Sequence, residues 1–359
     1  MRVRVPAALI AILALLIAAP ALTAQGDVKR AANGKPDLTG TFDAGTLTPL
    51  QRPEKYGDNL FLSPEDAAKI EADAAQYAAD RHRVSDPNRK PPPVGGDGTT
   101  GGAGNVGGYN RFWVETGTEA FAVDGKFRTS IIFDPPNGRM PEMTEAGKAR
   151  SAERRRLRRP NDGSAWWLDI EGHGPYDGPE TLPVTERCIV GFTGATPTFP
   201  SLYNNFKRVV QTEDHIMILI EMVHDARIVR LNAEHPSPEE RKWLGHSVGW
   251  WEGDTLVIDS RNFHPKAILR GATQESHVTE RLTLQPDGNI LYQFTIEDSA
   301  TWDVPWSGEY IWKRSPVKVY EYACHEGNYS MGGTLRGARV LEADVLAGET
   351  ASTGAGSGD

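Results

Sequence analysis

The chain has 359 residues, with 48 acidic side chains against 39 basic ones, a formal charge of −9 and only two cysteines. That balance excludes nucleic acid and anionic lipid surfaces as favoured partners, since binding phosphate needs an excess of Lys and Arg. With two cysteines there is no paired CxxC motif for a structural metal.

At the N-terminus, Arg2 and Arg4 precede an apolar run over 7–19, and small residues follow to Ala24. This is the layout of a cleaved secretory signal, with cleavage expected after Ala24. The run is short for a membrane span, which needs about 20 residues. Cleavage would remove two arginines and no acid, taking the charge from −9 to −11. The expected product is exported, periplasmic or secreted, with no stable membrane insertion. In an oxidising compartment, Cys188 and Cys324 most economically form one disulfide, which removes both thiols from any mechanism.

Residues 25–109 read as an irregular and helical N-terminal segment ending in a glycine-rich linker, 110–345 as one β-barrel-like domain, and 346–359 as a disordered tail. PDLTGTF at 36–42 and RTSIIFD at 128–134 read as strands that add to the barrel or seal an open end. A helix is predicted over 63–83, with Ser63 as N-cap, Pro64 at its first position and acids in its first turn. The run 91–108 is proline- then glycine-rich but lacks the Gly-Lys-Ser/Thr ending of a phosphate loop. A second helix is predicted over 143–159, capped by Thr144, with its arginines on a solvated face. Residues 160–180 are turn-rich, without a core pattern, and a short helix is expected from Ser237.

From residue 207 the pattern changes to short alternating runs: KRVVQ, HIMILIEMV, ARIVRL, HSVGWW, TLVIDS, HVTERLTLQ, NILYQFTIED, SGEYIWKR and VYEYAC. Tight turns at 212–214, 224–225, 252–254 and 286–289 separate several of them. The predicted fold is all-β: an antiparallel meander closing into a lipocalin-like up-and-down barrel, with a few short helices outside.

Several stretches together resemble a largely uncharacterised family of exported bacterial proteins that end in a YEYACHEGNY-type motif. They include PDLTGTF, YNRFWVETG, LPVTERCIVG, SLYNNFKRVVQT, EMVHDARIVRL, WLGHSVGWWEGDTLVIDSRNF and YEYACHEGNYSMGGTLRGAR, and they span most of 36–339. The resemblance implies export and a β-rich single domain. It supplies no site residues.

Candidate chemistry follows from which face each polar group takes. Glu221 sits in an apolar run, where a carboxylate is costly unless paired. Arg227 is its expected partner across the hairpin, with His224 in the turn between them. Glu280 shares a face with Val278 and Leu282, making it a second inward carboxylate whose structural alternative is a pair with an arginine such as Arg270. His246 is a candidate proton shuttle. Trp113, Tyr203, Asn205, Trp250 and Tyr322 are candidate ligand-binding groups, and core packing or turn formation explains most of them equally well. His325 and Glu326 follow the cysteine clamp and face either a pocket or the barrel's end.

These residues point first to a metal-independent, cofactor-independent acid/base enzyme on a small polar or aromatic molecule, such as a carbohydrate or plant phenolic. Glu221, His224, Arg227, His246 and Glu280 would serve as its catalytic groups, in a lyase, hydrolase or isomerase. The best metal assembly the histidines offer is His224, His246 and His325, and it lacks a ligand motif. The alternative function is a non-catalytic, lipocalin-like small-molecule binder. A third reading is an envelope structural protein, which a bore packed solid with side chains would favour.

Overall fold

The structure is a computed structural model that describes residues 28–81, 88, 114–159, 164–192, 194, 196–266 and 271–347. The expected signal, the run 91–108, Asn110, Trp113, Arg270 and most of the expected tail lie outside the described residues.

Twelve strands and three α-helices are formed among the described residues. In chain order the elements are β1 (Gly40–Asp43), α1 (Pro64–Arg81), β2 (Ala122–Val123), β3 (Lys126–Phe127), β4 (Ile132–Asp134) and α2 (Glu145–Arg156). There follow β5 (Phe206–Gln211), β6 (His215–Ile220), β7 (Ala226–Leu231), β8 (His246–Glu252), β9 (Thr255–Arg261), β10 (His277–Leu284), β11 (Ile290–Glu297), β12 (Trp306–Ser315) and α3 (Tyr329–Leu346).

β1 and β5–β12 form a closed nine-stranded barrel, which β1 completes by pairing with both β5 and β12. The PDLTGTF stretch therefore does seal the barrel. β4 adds to β12, and β2 with β3 makes a small separate hairpin. One pairing departs from the antiparallel meander: β7 and β8 run parallel, with Val229 opposite Ser247. An odd number of strands cannot alternate direction all the way round a ring, so at least one neighbouring pair must be parallel. The long connection 232–245 provides the return crossover that such a pair requires.

Strict alternation sets the wall. β10 reads half-buried and buried in turn, which sends Val278, Glu280, Leu282 and Leu284 inward. Register then places Glu280 beside Phe294 and Ile258, and Leu282 beside Tyr292 and Leu256. Rings fill the bore: Tyr292 stacks on Trp312 at 4.6 Å and meets Tyr310 edge-on at 5.2 Å. Phe294 meets Trp306 edge-on at 5.7 Å. Contacts of this kind each contribute roughly 1 kcal/mol beyond area burial.

α1 and α2 form where predicted. The Ser63 Oγ accepts from the Asp66 N–H at 3.0 Å, and the Thr144 Oγ accepts from the Gly147 N–H at 3.0 Å. Three expectations fail. Residues 237–245 are turns rather than a helix, and 319–324 form no strand. The turn-rich stretch does carry core residues, because Trp166 and Trp167 pack with Ala338, Leu341 and Val345 of α3 in a small second cluster. Trp167 Nε1 also donates to Glu342 at 2.7 Å.

Cys188 and Cys324 form the expected disulfide, with Cα atoms 5.8 Å apart. No described helix is long and apolar enough to cross a membrane.

Candidate functional site at the barrel mouth

At one end of the barrel, β1 and β6 finish and β5 and β7 begin. β6 stops at Ile220 because Glu221 turns helical (φ −57°, ψ −47°), so HIMILIEMV is a strand only over its first six residues. The chain then passes through Val223 at φ +60° and His224 at φ +44° before β7 starts. A β-branched residue in the left-handed region costs on the order of 1 to 3 kcal/mol, and such strain persists only where surrounding structure enforces it. Asn204 and Cys188 are left-handed too, both at φ +55°.

Four titratable groups around this corner are displaced from their ordinary values. Burial raises Glu221, against the Phe206 N–H that its carboxylate accepts at 3.3 Å and a further bond from Asn204. Burial also pushes Asp225 up to about 6, although its carboxylate accepts the Gly191 N–H at 3.1 Å. Glu115, at the rim, is raised by partial burial and then by the negative charges of Asp43 and Glu221. Lys207 moves the other way: complete burial lowers it to about 8, with Asp43 and Glu221 opposing that shift. Among the described residues its Nζ has one long hydrogen-bond contact, 3.5 Å to the Asn205 carbonyl, and lies 5.7 Å from the Trp312 ring centre. An ammonium has three hydrogens to place, so this amine is poorly satisfied.

Behind the mouth lies a second buried group. Arg227 donates to both oxygens of Glu280, at 2.5 and 2.9 Å, and to the Thr196 hydroxyl at 3.2 Å. The Tyr292 hydroxyl donates to Glu280 at 2.5 Å. The loop 196–199 inserts here, its Thr198 carbonyl accepting from Tyr310 at 3.0 Å and Phe199 packing edge-on to Phe294 at 5.3 Å. Compared with known proteins, the chain matches no family model and no curated protein.

The expected residues are therefore divided. Arg227 pairs with Glu280, not with Glu221. Both are buried and bonded chiefly to each other, with the Arg227 Nε left without a hydrogen-bond partner among the described residues, so the pair stands behind the mouth rather than in it. Asn205 is likewise committed: its Oδ1 accepts from Ser201, and its Nδ2 donates to the carbonyls of Glu115 and Ser201. Tyr203 is half-buried at the mouth, edge-on to Phe192 at 5.8 Å. His224 is exposed at the corner, with Nδ1 3.3 Å from the Tyr322 carbonyl, a backbone contact that leaves the Tyr322 side chain out of it. His325 and Glu326 continue from the clamp as exposed residues.

His246 and Trp250 point away from the bore, on the outer face of β8, and Trp250 donates to Glu252 at 3.1 Å. His246 opens β8 on its outer face, and among the described residues no three His, Cys, Asp or Glu side chains meet as a metal site.

Sequence reasoning missed two features. Lys207 and Asp225 were passed over, although alternation puts Lys207 in phase with Val209. The second is on the outer wall, where Asp259 accepts from His235 at 2.6 Å and from Arg261 at 2.9 Å and also bonds His277. Asp259 is held low because bonds from His277 and Arg261 outweigh its burial, while the Asp259 bond raises His277. The signal was visible in the strand phase, which sends both residues outward on adjacent strands.

Proposed function

We propose that the chain is an exported acid/base enzyme acting on a small polar or aromatic molecule at the barrel mouth. The observation that carries this reading is the opposed displacement of neighbouring groups: Glu221 and Asp225 upward, Lys207 downward to about 8. Groups tuned in opposite directions divide the roles of acid and base near neutral pH. Glu221 is the proton donor, the Lys207 amine is the base or the group that steadies a developing negative charge, and His224 relays protons to solvent. The Arg227–Glu280 pair is a positioning element behind them.

The rings that fill the bore weigh against a lipocalin-like carrier with its ligand inside. A filled bore alone would suit an envelope scaffold. Such a scaffold, however, has no need for a strained corner that holds two carboxyls raised by burial beside a lysine lowered by it, and this favours the enzyme. The disulfide supports export to an oxidising compartment. Membership of the exported family suggested by YEYACHEGNY is part of the same proposal.

The test is untargeted mass spectrometry of metabolite extracts incubated with the purified protein in D2O. Wild-type protein should consume a metabolite or exchange deuterium into one, and Glu221→Gln should not. Equal conversion by both proteins would reject the assignment.

A further inference from the structure

On the outer wall, on the far side of β1, β5 and β6 from the bore, lies a groove of about 710 Å³. Register builds its floor: Ser315, Thr41, Arg208 and Leu219 stand opposite one another in succession across β12, β1, β5 and β6. The segment 316–319 leaves β12 and forms one side, contributing Pro316, Val317, Lys318 and Val319. Gly40 lets Arg314 lie close at the edge: a Cβ there would come within 2.4 Å of the Arg314 Nη1, and the guanidinium would have to shift.

The charge of this groove is one-sided. Its lining includes Arg208, Arg314 and Lys318 and no carboxylate, in a chain whose formal charge is −9. Arg314 is already used, donating to the Gly288 and Thr39 carbonyls at 3.0 and 3.2 Å. Among the described residues Arg208 makes only a 3.1 Å bond, to the Thr41 hydroxyl. Lys318 has no hydrogen bond or ion pair to the described residues. Beside these cations lie the apolar surfaces of Leu219, Pro316, Val317 and Val319. The volume falls within the range of small-molecule sites, about 300 to 1,000 Å³.

We infer that this groove binds an amphipathic carboxylate, its head on the Arg208 guanidinium and the Lys318 ammonium and its body along Leu219, Val317 and Val319. A guanidinium with free N–H groups offers the planar fork that a carboxylate fits, and the lysine adds a point charge. The site shares no residue with the mouth and does not depend on the acid/base reading.

The probe is decanoate, titrated calorimetrically into the full mature chain, with decanol as the neutral control. Decanoate should bind, more weakly as salt rises, and Arg208→Gln/Lys318→Gln should weaken it by about tenfold or more. Decanol should bind the wild type and this double variant equally. Should Arg208→Gln disturb the wall through Thr41, Lys318→Gln alone carries the test, since that side chain holds nothing in place. Decanoate binding as tightly to the variants as to the wild type would overturn the inference. So would loss of decanoate binding in Glu221→Gln, which would place the ligand at the mouth.

Discussion

Arg227 and Glu280 form a bidentate ion pair across the bore, from β7 and β10, strands that have β8 and β9 between them in the wall. The pair thus ties opposite parts of the barrel together through its centre. Removing one member leaves the other charged and buried, which typically costs about 3 to 5 kcal/mol. Glu280→Gln should therefore lower the unfolding free energy by about that much in urea titrations. Replacing both, as Arg227→Met/Glu280→Leu, should cost far less than the sum of the single changes, because the desolvation penalty goes with them.

Lys207 should behave as a group retained against stability. Its folded-state value is lowered to about 8 from 10.5, so its favourable contribution is present above about 10.5 and is lost as pH falls through about 8. Lys207→Met should accordingly raise stability at pH 7, by on the order of 2 kcal/mol, and flatten the stability profile on the alkaline side. The same variant should lose turnover. A destabilised Lys207→Met protein in thermal unfolding at pH 7 would contradict this.

Asp225 has the opposite sign. It is raised to about 6 from 3.8, so its contribution is present below about 3.8 and disappears as pH rises through about 6. Asp225→Asn retains an acceptor for the Gly191 N–H and should remove that loss. Unfolding at pH 7.5 should become harder by on the order of 1 kcal/mol, allowing for solvent screening of a half-buried group. At about pH 4 the variant and wild type should be nearly equal.

The disulfide closes a sequence separation of 136 residues. In the chain-entropy description such a link contributes about 5 kcal/mol. Cys188→Ser/Cys324→Ser should lose a comparable amount in denaturant titrations, and thiol titration of the native wild type should find no free thiol.

Legibility differed between the barrel and its mouth for physical reasons. Two-residue alternation is a local property, so β8, β10 and β11 could be read from HSVGWW, HVTERLTL and NILYQFTI alone. The parallel β7–β8 seam could not, because it follows from counting staves once β1 has closed the ring, and that closure joins Thr41 to Ser315. Glu280 was readable as an inward carboxylate, yet its partner was not the arginine nearest in strand order. Side chains crossing a bore meet by geometry that no spacing encodes. VYEYAC alternates like a strand and forms none, since no free wall position remained once nine staves had closed. Glu221 was singled out for its apolar neighbours, which is the same burial that raises it. Asp225 and Lys207 stood unremarked because a turn aspartate and a strand lysine are ordinary until the fold encloses them.

The closure by β1 also bears on how the molecule is made. The stave formed from residues 40–43 finds one of its two neighbours only at 313–315, near the far end of the chain. Until that segment arrives, the growing sheet has two raw edges with unpaired backbone groups, which are templates for pairing with other chains. A barrel closed by such distant segments is slow to assemble and exposed to aggregation while it waits. Truncation before β12 should therefore yield insoluble protein rather than a smaller folded one.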